Sequence, residues 1–116
     1  MIVSRGDVVL VDWPFSDGTG TKVRPAVVVQ DDDENRQIAD TIIALISSRL
    51  HRNSRTHVFI DISTADGQLS GLRRNSVVQC GNLYTADQGF ILRRLGQLTD
   101  SLVRQVDTGL RAALHL

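Results

Sequence analysis

Apolar and polar residues alternate along most of the chain, and this two-residue rhythm gives way to a helical one near residue 99. "GDVVLVDWPF" predicts a first strand with Val8, Leu10 and Asp12 on one face and Val9, Val11 and Trp13 on the other. "PAVVVQ" predicts a second, with Pro25 at its first position, where no ladder donor is needed. Between them "SDGTGTKV" reads as a hairpin loop punctuated by Gly18 and Gly20. "DTIIALISS" is apolar on both faces in its middle and therefore reads as a central third strand. "THVFIDI" predicts a fourth strand, with Val58, Ile60 and Ile62 facing inward. "NSVVQC" and "NLYTA" predict two short strands around Gly81, and "GFILRR" one turn of helix.

From Thr99 the apolar spacing changes. Leu102, Val103, Val106, Leu110, Ala113 and Leu114 form one helical stripe, with Thr99 as N-cap and Asp100 in the first turn, where the helix dipole favours it. Gly109 weakens that helix on propensity grounds. Strands followed by a C-terminal helix predict a mostly β, α+β domain built on a small, strongly bent antiparallel sheet. Residues 1–116 are expected to form one domain with a modest core.

Composition narrows the class. Lys plus Arg and Asp plus Glu both number 13, so the chain is not basic all over. Cys80 is the single cysteine, which excludes an internal disulfide and a Cys-based zinc site. It reads as a small buried hydrophobe. No apolar run is long enough to cross a bilayer, and "MIVSRGD" lacks the apolar core of a signal peptide. Both point to a cytoplasmic protein with no membrane partner. The three histidines share no ligand spacing, so neither metal nor cofactor is expected, and His57 reads as structural. Trp13 reads as core or dimer packing, and "DDDE" as a solvated turn.

The cations cluster and are nearly all arginine. "SRLHRNSR" carries Arg49, Arg52 and Arg55, and "GLRRN" carries Arg73 and Arg74. Arginine binds phosphate bidentately and stacks on bases, although such clusters also suit a solvated turn or a loop that steers phosphate. Arg24 raises a sharper question. It stands before Pro25, which biases it toward an extended conformation, at the mouth of a buried strand.

"RGDVVLVDWPF", a Gly-rich loop, "RPAVVVQ", a strand ending in hydroxyl residues, and "GLRRNSVV" before a C-terminal helix follow in order. In this the chain resembles the MazF/PemK/Kid toxins over essentially its whole length. The resemblance implies an SH3-like barrel of the Kid/CcdB kind and a homodimer with a site beside the dimer groove. It also implies the activity of a type II toxin–antitoxin endoribonuclease, metal- and ribosome-independent, restrained by a cognate antitoxin. In such enzymes the ribose 2′-OH of single-stranded RNA attacks, leaving a 2′,3′-cyclic phosphate and a 5′-OH. Arg24 and Ser47 then correspond to the family's catalytic pair, with Ser48 one register step away. Arg24 would stabilise the phosphorane and Ser47 would position it, fixed donors of this kind being worth roughly 3 to 4 kcal/mol each.

Candidate support for the missing general base falls on Asp17 and Thr19, in the loop where some members carry an acid. Gln79 and Gly81 stand where another branch has an Arg–Asp dyad, and Tyr84 stands where an RNA-contacting arginine is frequent. Candidate RNA contacts are Lys22, Arg49, Arg52, Arg55, Arg73, Arg74 and Tyr84. The competing reading is a non-catalytic binding toxin or module on the same fold, such as a CcdB-like gyrase poison. Such a protein has no need of "RP" or of "ISS".

Overall fold

β1 (Asp7–Pro14) and β2 (Thr21–Val28) form the predicted hairpin, their register running from Val8 opposite Val27 to Pro14 opposite Thr21. The computed structural model describes residues 2–15, 17–50 and 54–116. After β2 come α1 (Asp32–Gln37), β3 (Asp40–Ser47), β4 (His57–Ile60) and α2 (Ala65–Leu69). The chain ends with β5 (Ser76–Asp87), a 3-10 turn (Gln88–Phe90), β6 (Arg93–Gln97) and α3 (Asp100–Leu114). All six strands join one antiparallel sheet in the order β4-β5-β3-β2-β1-β6, so β3 is interior as its two apolar faces predict. A mostly β, α+β fold with a C-terminal helix is what the patterning implies.

Both faces of the sheet are buried within one chain. Val8, Val27, Ala44 and Ile46 point to a core closed by Leu102 and Val106 of α3. Val9, Val11, Ala26, Val28 and Ile43 point the other way, to a second core that includes Trp13 and Ile91. The two apolar faces of β1 are therefore both covered within one chain. Helix α3 is capped as predicted, Thr99 Oγ1 accepting from Leu102 N at 3.4 Å. Leu114 is the exception on its stripe, half exposed at the helix end. No helix among the described residues is long and apolar enough to cross a membrane.

Several expectations change. "DDDE" is a helix start rather than a turn: Asp31 accepts from Asp33 N at 3.0 Å, and Asp32, Asp33 and Glu34 occupy the first turn, where carboxylates suit the dipole. β4 ends at Ile60, because Asp61 accepts from Ser63 and Thr64 caps α2, so Ile62 lies in a turn. "NSVVQC" and "NLYTA" are one strand, β5. "GFILRR" divides between the 3-10 turn and β6, which pairs with β1. Finally, β2 starts at Thr21, which places Pro25 inside the strand rather than at its first residue.

Candidate active site

That last change explains the local architecture. β2 pairs with β1 from Thr21 to Val27, but with β3 only from Ala26 to Val28. The ladder stops one step short of Pro25, a residue with no N–H to extend it. Beyond that point Arg24 has no partner on β3, while Ile46 and Ser47 pair only with β5. The two strands splay, and a groove of about 610 Å³ opens between them. Side chains alternate along a strand, so Arg24 continues the row of Ala26 and Val28, and Ser47 the row of Ile43 and Leu45. Both leave the sheet on the side of the second core.

The groove brings together Lys22 and Arg24 from β2, Ser47, Ser48 and Arg49 from the end of β3, and Arg73 and Arg74 from the turn before β5. Ser76 and Gln79 complete its polar wall, with Pro25, Leu45, Ile46 and Leu72 as its apolar lining. That turn is built to present its arginines. Gly71 has φ +74°, and a Cβ there would stand 2.1 Å from the Leu95 carbonyl oxygen, so only glycine launches the chain in this direction. Buried Ser76 donates from Oγ to the Arg74 carbonyl at 2.9 Å and fixes the far end. Ser47 Oγ accepts from Arg49 N at 3.2 Å, which leaves its own proton for a ligand. No carboxylate or histidine lines the groove among the described residues, and no three His, Cys, Asp or Glu side chains there cluster as a metal site would require.

The other candidates lie elsewhere. Asp17 and Thr19 sit in the exposed β1–β2 loop, outside the groove lining. Thr19 donates to Asp17 Oδ1 from both Oγ1 (2.7 Å) and N (3.0 Å), and these bonds, the hydroxyl first, hold the carboxyl below its ordinary pKa. A carboxylate so stabilised is a weaker base. Tyr84 packs against Trp13, ring centroids 5.7 Å apart, and borders a separate concavity with Asp12, Asp87 and Phe90. Arg55 is exposed in the turn before β4 and does not line the groove, and Arg52 lies outside the described residues. Gln79, named from sequence only as a departure from a family dyad, and Ser76 are the polar lining residues that were not among the candidates. For Gln79 the signal was strand register, which an irregularity between Gln79 and Leu83 in β5 hides.

Residues 4–114 match the sequence model of the PemK-like, MazF-like toxins of type II toxin-antitoxin systems. The chain belongs to this family. It is 32% identical over 118 residues to the endoribonuclease EndoA of Bacillus subtilis (strain 168), covering all of this chain and 97% of that one. It is likewise 32% identical over 119 residues to the endoribonuclease MazF2 of Mycobacterium bovis, covering all of both. Among solved structures, a mycobacterial endoribonuclease in complex with its cognate antitoxin superposes with a TM-score of 0.80 at 24% identity, over 98% of this chain and 96% of that one. At that identity the likeness speaks for the fold. In this PemK/MazF toxin Arg24, Pro25, Ser47 and Ser48 line one groove.

Proposed function

We propose that this toxin acts in the cytoplasm as one domain per subunit of a homodimer, cutting single-stranded RNA without metal or ribosome until a cognate antitoxin covers the groove. The observation that carries the reading is the convergence of Arg24 and Ser47 where β2 and β3 part, among further cations from the same two segments and from the turn before β5. The ribose 2′-OH is the nucleophile. As it adds to phosphorus the phosphorane gains negative charge, and the bond to the 5′ oxygen breaks to leave a 2′,3′-cyclic phosphate and a 5′-OH. The planar guanidinium fork of Arg24 offers donors only, and is suited to hold that charge rather than to take a proton. The Ser47 hydroxyl donates to the same centre and fixes its position. The named relatives act on RNA or bind an antitoxin, which agrees with this reading. The homodimer draws support from apolar side chains left in solvent, including Phe90 (77% exposed) and Leu92 (53% exposed).

The test is a single-turnover cleavage rate on a mixed RNA substrate in excess EDTA, with a thermal melt of each variant. Arg24→Ala is expected to lose roughly 10²- to 10³-fold in rate, the range for one preorganised donor, and to stay folded. Ser47→Ala is expected to lose less, and Ser48→Ala least. A folded Arg24→Ala that cuts as fast as the parent would overturn the assignment and favour the non-catalytic binding toxin. Chelator-sensitive cutting, or products ending in a 3′-OH, would overturn the chemistry.

A further inference from the structure

We propose that Gln79 selects the base beside the cut: its side-chain amide offers N–H donors to a nucleobase carbonyl in the groove. The inference rests on the groove being the RNA site. Its starting point is the irregularity in β5. Ala44 on β3 pairs with Leu83 and the next residue, Leu45, pairs with Gln79, so Cys80, Gly81 and Asn82 have no partner on β3. A bulge of this kind re-aims side chains, often next to a functional site. Here Cys80 turns into the core under α3, where its thiol lies 3.8 Å from the Val106 carbonyl. Gln79 is held on both sides, opposite Leu45 of β3 and His57 of β4, and its side chain lines the groove.

Asn82 engages one end of that side chain. Asn82 Nδ2 donates to Gln79 Oε1 at 3.2 Å, across the bulge. With its oxygen engaged, Gln79 presents the NH₂ group to a ligand. Leu45 and Ser47 share a face of β3, so Gln79 stands one strand across and two residues along from Ser47, about 8 Å between Cα atoms by strand geometry. That places it within side-chain reach of the base attached to a ribose held at Ser47. The remaining lining groups suit phosphate: five are cations, and the Ser76 hydroxyl is spent on the Arg74 carbonyl. Gln79 is the lone carboxamide among the described lining residues, neutral and directional, which is the character of base readout rather than backbone positioning.

The test reads the base next to each cut by sequencing the ends produced from a pool of short single-stranded RNAs randomised at that position. The parent is expected to prefer bases that present a carbonyl acceptor. Gln79→Ala removes the donors and is expected to flatten that preference about 5- to 10-fold, the scale of one hydrogen bond. Asn82→Asp is the sharper variant. An aspartate accepts but cannot donate, so the Gln79 amide turns over to donate to it and presents Oε1 to the groove. Preference is then expected to move to bases that present an amino group. A structural role alone would lower all rates together and leave the preference unchanged. If the parent cuts and both folded variants keep its preference, this inference falls and the reading of the groove stands. If the folded parent cuts no RNA, the reading of the groove falls, and this inference with it.

Discussion

Gly109 lies in the middle of α3, where propensity alone counts against it, yet a Cβ there would sit 2.6 Å from Cys80 Sγ. The glycine is a close-approach device that lets α3 settle onto the bulge of β5. Gly109→Ala should therefore destabilise by about 1 to 2 kcal/mol in urea titration, since overpacking outweighs the helix-propensity gain. Combining it with Cys80→Ala should restore part of the loss, a coupling that independent sites would not show. Burial also pushes the Cys80 thiol up to about 11, from an ordinary value of 9.0. Between those values the unfolded chain ionises and the folded one does not. Stability is unaffected below pH 9, falls by about 2 to 3 kcal/mol as pH rises to 11, and then levels off. Titrations at pH 8.5 and 11 on the parent and Cys80→Ala isolate that share, because the exposed groups titrating there are common to both. The sequence pointed to the buried thiol, while the purpose of Gly109 depended on a contact 29 positions away in the chain.

Elements with their own period were legible and those defined by partners were not. Strands β1 and β3 and helix α3 carry their burial pattern in their residues, whereas Arg24 and Ser47 were reached through the family resemblance, Arg24 also through its place before Pro25. β6 reads RRLGQ, with little apolar alternation, and is a strand because the edge of β1 is there to receive it. Helix α1 was obscured by its charge, although its reason lies in one buried residue. Asn35 accepts from Gln30 Nε2 (2.9 Å) and Thr41 Oγ1 (2.7 Å) and donates to the Gln30 carbonyl (3.0 Å), while the Asn35 carbonyl takes Gln88 Nε2 (2.8 Å). Asn35→Ala strands the buried polar groups of Gln30 and Thr41. It should cost about 1 to 3 kcal/mol by chemical denaturation and raise amide exchange across α1. Asn35→Asp should cost at least as much, because it turns the Nδ2 donor into a buried carboxylate oxygen facing the Gln30 carbonyl (3.0 Å) and Asp32 Oδ1 (3.4 Å).

At the scale of the whole molecule the chain is neutral and the groove is not. Lys22, Arg24, Arg49, Arg73 and Arg74 face one concavity, while the matching carboxylates serve elsewhere: at the start of α1, at the cap of the 3-10 turn, or paired with Arg5 and Arg94. Segregation of this kind lets a protein with no net charge hold an anionic strand without binding polyanions over its whole surface. The consequence is measurable on an RNA carrying a single 2′-deoxy nucleotide at the cut, which removes the nucleophile and lets binding be read without cleavage. Each phosphate neutralised on a single strand contributes about −0.7 to the slope of log affinity against log salt, so five groove cations set a limit near −3.5. Arg73→Ala with Arg74→Ala should make the slope shallower by about 1.4 and weaken binding alike for every sequence. Gln79→Ala should leave the slope where it was, because a neutral amide releases no counterion. A parent slope shallower than −1 would mean that the strand runs outside this groove, whatever the cleavage assay shows.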